Sequence, residues 1–80
     1  MIEVFKTSVS DVYYAKLLLH KIHKKFPAYK ANFDLSDCDR ILRIQSPSVV
    51  EEAEIIKIIA GFGYEAELLQ DEIVVPGIEN

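Results

Sequence analysis

The chain has 80 residues, 50% hydrophobic and 28% charged, the balance of one small globular domain rather than of a disordered segment. Its formal charge of −4 argues against a nucleic-acid partner, which requires a clustered cationic surface. The one cysteine, Cys38, excludes an internal disulfide framework and suits a reducing cytoplasm. No run nears the roughly 20 apolar residues that span a bilayer, and Glu3 and Lys6 interrupt any apolar leader. A soluble cytoplasmic protein without a membrane partner is expected.

Residues 1–7 (MIEVFKT) alternate apolar and polar side chains, the period of a strand with one buried face. Residues 11–26 switch to helical period, with Ala15, Leu18, Leu19, Ile22 and Phe26 on one face and Val12 beside them. Ser8-Val9-Ser10-Asp11 fits a Ser-x-x-Asp cap at the start of this helix, and Pro27 stops it. Lys21, Lys24 and Lys25, interleaved with His20 and His23, read as its solvated face. Tyr29, Ala31, Phe33 and Leu35 then alternate with Lys30, Asn32 and Asp34. Ser36-Asp37-Cys38-Asp39 reads as a turn, and Ile41-Leu42-Arg43-Ile44 as the returning strand of a hairpin.

Ser48 and Glu51 form a capping-box pattern ahead of a second helix. That helix is predicted to bury Val49, Ala53, Ile56 and Ala60, and to end at Gly61 or Gly63. Residues 64–69 (YEAELL) predict a fourth strand. The order is strand, helix, strand, strand, helix, strand. The predicted class is α+β, and its simplest closed form is the ferredoxin-like split βαβ sandwich, a four-stranded antiparallel sheet with both helices on one face. Residues 1–70 would make that domain. Residues 71–80 would be a tail, or an extra edge strand through Ile73-Val74-Val75.

With particular residues in place, this architecture resembles the heavy-metal-associated domains of copper chaperones and metal-pumping ATPases over residues 3–69. The anchors are Phe5-Lys6-Thr7 leading into Val9, Phe26-Pro27 closing the first helix, and Gly63-Tyr64-Glu65-Ala66 before the last strand. In that family the loop after the first strand carries methionine, one residue, then cysteine-x-x-cysteine, whose thiolates hold Cu(I) or Zn. Aligning Val9 with the methionine places Asp11 and Tyr14 at the cysteine positions; a shift of three places Ser8 and Asp11 there. Neither register retains a thiol, so the resemblance implies the fold and a domain-docking habit without the soft metal grip. No cofactor is expected. The alternative is a divalent metal held by hard or borderline ligands.

Other residues carry weaker chemical suggestions. His20 and His23 stand three apart on a helix, a spacing that can offer two imidazoles to one metal. Asp34, Asp37 and Asp39 ring the hairpin turn, where Asx turns account for them without calcium. Cys38 sits in that turn with no histidine assignable as its base. Tyr64 occupies the loop where the resemblance implies an aromatic beside the metal site. Tyr13 and Leu17 fall off the core stripe of the first helix, which suggests contact surface; Ile55 and Ile58 similarly sit off the centre of the second helix's stripe, though two helices side by side bury wide arcs, which explains Ile55 more easily than Ile58. Acylphosphatases share the broad architecture, but their first loop holds an arginine, and here Arg40 and Arg43 lie in or near the hairpin. The expected function is a non-enzymatic binding module acting through a protein partner or a homo-oligomer, with Tyr13, Leu17 and Tyr64 at the contact.

Overall fold

The computed structural model describes residues 1–36 and 38–69. Within them lie β1 (Ile2–Thr7), α1 (Val12–Lys25), β2 (Lys30–Asp34), β3 (Ile41–Gln45), α2 (Glu52–Gly61) and β4 (Ala66–Leu68). The predicted order of elements holds. Asp37 and the expected tail or edge strand at residues 71–80 lie outside the described residues.

The fold is α+β: two helices and one sheet in the order β2-β3-β1-β4, every neighbouring pair antiparallel. Phe5 lies opposite Leu42 on one side and Leu68 on the other, and Phe33 lies opposite Leu42. This cross-strand row puts its apolar side chains on one face. Phe5, Leu42 and Ile44 are fully buried there, in one cluster with Ala15, Leu18 and Ile22 of α1 and Ile55, Ile58 and Ile59 of α2. The intervening Lys6, Lys30, Asn32, Arg43 and Glu67 are exposed, as the two-residue period requires of the opposite face.

The cap of α1 is Asp11 alone, whose carboxylate accepts the N–H groups of Tyr13 at 2.8 Å and Tyr14 at 3.3 Å. Ser8 has another task. Its hydroxyl accepts the Glu65 N–H at 2.9 Å and its own N–H donates to the Glu65 carbonyl at 3.1 Å, tying the first loop to the approach to β4. Val12, expected beside the core stripe, is 60% exposed.

Two expectations for α2 are corrected. The Ser48–Glu51 capping box does not form: Glu51 makes no side-chain cap bond, and the Ser48 N–H turns to the Ser46 hydroxyl at 3.1 Å. The Tyr29 hydroxyl accepts the Glu51 N–H instead, at 2.8 Å, and lies 3.3 Å from the Val49 carbonyl to which it donates. The buried stripe is Ile55, Ile58 and Ile59, preceded by Val50, while Val49, Ala53 and Ala60 are exposed and Ile56 is half-buried. Isoleucines at 55, 56, 58 and 59 satisfy two helical phases, and the core takes the phase that buries more hydrocarbon. Ile55 and Ile58 are therefore core residues and not contact surface.

Gly63 ends α2. Its φ of +86° is left-handed, its N–H donates to the Ala60 carbonyl at 2.9 Å, and the Tyr64 N–H reaches back to Ile59 at 3.2 Å. This is the Schellman arrangement, which satisfies carbonyls the helix leaves open.

Candidate functional site

The loops that leave β1 and enter β4 meet the hairpin turn at one end of the sheet, and Thr7 holds that end together. Its buried hydroxyl donates to the Arg40 carbonyl at 2.7 Å and accepts the Val9 N–H at 3.2 Å, while its own N–H donates to the Asp39 carbonyl at 3.2 Å. Arg40 pays for this contact with a φ of +47°, in the left-handed region that side chains avoid. Val9, fully buried, plugs the core just below.

An open cleft of about 490 Å³ sits over this junction, lined by Lys6, Ser8, Cys38, Arg40, Glu65 and Glu67 among others. Two cations face two carboxylates, so neither sign of charge dominates. Lys6 lies 3.9 Å from Asp39, a long, half-exposed pair of little energetic weight. Cys38 is exposed, and no histidine lines the cleft to serve it as a base.

Beside the cleft, the first turns of α1 carry an aromatic and aliphatic patch. Val12 and Tyr13 are 60% and 65% exposed, and Tyr14 and Leu17 are 42% and 36%. The Tyr14 ring anchors this patch: it meets Tyr13 edge-on at 5.3 Å, Phe62 at 6.5 Å and Tyr64 at 6.2 Å between centroids. The Lys21 ammonium lies 5.9 Å from the centre of the Phe62 ring, at the far margin. Tyr13 and Leu17 are thus exposed off the core stripe, whereas Tyr64 is half-buried and supports the patch through Tyr14.

The candidate metal residues have other uses in this structure. Asp11 and Tyr14 stand on the same first turn, but the Asp11 carboxylate caps the helix and the Tyr14 ring packs in the aromatic group. His20 and His23 are both exposed, and His23 accepts the Ala31 N–H on Nε2 at 3.1 Å. Among the described residues no three or more His, Cys, Asp or Glu side chains gather where they could hold a metal ion. Tyr29 is the residue the sequence reading missed as a positioning group. Its place in an alternating strand pattern signals burial, but not that its hydroxyl would seat the start of α2.

One perturbed carboxyl lies between the helices. Glu54 is held below the usual glutamate range by its 2.7 Å hydrogen bond to the Lys25 ammonium and by that charge, with a smaller contribution from Lys57. This pair ties α1 to α2 at the surface. No helix among the described residues is long and apolar enough to cross a membrane. No family model matches this chain, and no curated protein or solved structure matches it.

Proposed function

We propose that this chain is a non-enzymatic, cytoplasmic protein-binding module of ferredoxin-like, heavy-metal-associated type, one that keeps that family's docking surface without its thiols. The observation that carries the reading is the exposed patch of Val12, Tyr13, Tyr14 and Leu17 at the start of α1. Tyrosine offers a large contact area with only two torsions to immobilise, and interface centres are rich in it. The ferredoxin-like assignment is supported by the order β2-β3-β1-β4, in which each helix links two strands separated by a third. The non-enzymatic assignment is supported by the mixed charge of the cleft and the lack of a histidine beside Cys38.

The rival reading, a divalent metal on Asp11 with Tyr14 or on His20 with His23, has less support because Asp11 and His23 already accept backbone hydrogen bonds. Titration of untagged protein with zinc, nickel and copper separates the two: stoichiometric binding at micromolar metal would favour the rival. The contact itself is tested with a photo-crosslinking benzoylphenylalanine at Tyr13, and at Arg43 on the open sheet face as control. The expected result is a discrete protein adduct from position 13 that the added change Leu17→Asp removes. Equal labelling from both positions would overturn the proposal.

A further inference from the structure

The outer edge of β2 is open beside an apolar groove. In an antiparallel ladder, alternate residues direct both backbone groups toward the neighbouring strand and the rest direct theirs away. The Ala31 N–H points outward, where His23 accepts it at 3.1 Å. Phe33, two residues on, points the same way, and its N–H and C=O meet no partner among the described residues. Alongside runs a groove of about 340 Å³ between α1 and β2, walled by Val12, Ala15, Leu19, Phe33 and Leu35 with Lys16 at the rim. An open strand edge next to an apolar groove suits strand addition, in which main-chain bonds give affinity and the groove reads alternate side chains. The residue opposite Phe33 in an added strand would point toward the helix, into the groove.

We propose that the segment Ile73-Val74-Val75 of a second copy of this chain adds along the β2 edge and places one β-branched side chain in the groove. The segment has the composition of a strand, and Pro76 closes it at the first position that lacks an N–H. Asp71 and Glu72 precede it, complementary to Lys16 at the rim. Reach assigns the segment to another copy. The Leu69 N–H bonds the Val4 carbonyl on the β4 side of β1, and a position outside β2 lies four strand spacings from β4, about 19 Å. The four steps from Leu69 to Ile73 cover at most about 14 Å. The groove shares Val12 with the aromatic patch, but Tyr13 and Leu17 do not line it.

Sedimentation of the full chain across a concentration series tests the proposal together with the variants Val74→Glu and Lys16→Glu. The chain is expected to self-associate, with Val74→Glu abolishing the association and Lys16→Glu weakening it about tenfold, the loss of one favourable charge contact in a partly dry site. A synthetic peptide of residues 70–80, added to isotope-labelled Val74→Glu chain, is expected to shift the amide resonances of Phe33 and Leu19. Three outcomes would overturn the inference: a monomer at every concentration with no peptide shifts, association that survives both substitutions, or shifts confined to Ile2 and Val4, which would put the segment along the start of β1, beyond the stretch that β4 covers.

Discussion

Thr7 and Arg40 illustrate how single residues join the loops of this domain. The Arg40 carbonyl must turn toward the Thr7 hydroxyl, and the turn is made at a left-handed φ of +47°. A side chain there costs about 1 kcal/mol relative to glycine. Arg40→Gly is accordingly expected to raise the urea midpoint by an equivalent of up to about 1 kcal/mol, partly offset by the freer unfolded chain. Gly63→Ala is the converse case. A Cβ at Gly63 meets nothing within 4 Å, so its expected loss of about 1–2 kcal/mol is purely backbone strain at φ +86°. Tyr29→Phe keeps the buried ring but strips the acceptor from the Glu51 N–H. The expected destabilisation is about 1–2 kcal/mol with an unchanged m-value, and a variant as stable as the parent would refute the capping role.

The second helix shows where pattern reading stops at the level of an element. Its four isoleucines fit two faces, and only the sheet below distinguishes them. Ile59→Ala should therefore cost about 2–5 kcal/mol, as truncation of a fully buried side chain does, whereas Ala53→Ser on the exposed side should stay within about 0.5 kcal/mol. The two helices are also clipped together by Lys25 and Glu54. Because the folded state holds the Glu54 carboxyl below its ordinary range, the unfolded chain binds more protons as pH falls through that interval. The stabilisation is thus present above the ordinary glutamate pKa and lost as pH drops through the lowered one. Lys25→Met is expected to flatten the pH dependence of thermal unfolding across that acid interval, and added salt should mimic it in the parent, since the pair is exposed to solvent.

At the scale of the whole molecule, the aromatic patch is separable from the fold. Tyr13 and Leu17 lie outside the core cluster, so Tyr13→Ser and Leu17→Ser are each expected to leave the melting temperature nearly unchanged, while Leu17→Ser removes the crosslink formed from position 13. A large drop in melting temperature would instead assign these residues to stability.

Element order was legible from the chain alone because strand and helix periods differ, and Pro27 and Gly63 punctuate them. Asp11 was legible as a cap because its partners are two and three residues away. Local chemistry decided these features, and the sequence carries local chemistry directly. The exposure of Tyr13 and Leu17 followed from the same helical period. Tertiary structure decided the rest: which isoleucines of α2 face inward, that a tyrosine hydroxyl 22 residues distant replaces the Ser48–Glu51 box, and that Ser8 bonds Glu65 across 57 residues rather than its own helix. A polar group takes the partner that burial leaves nearest, and that choice depends on which segments the collapsed core brings together.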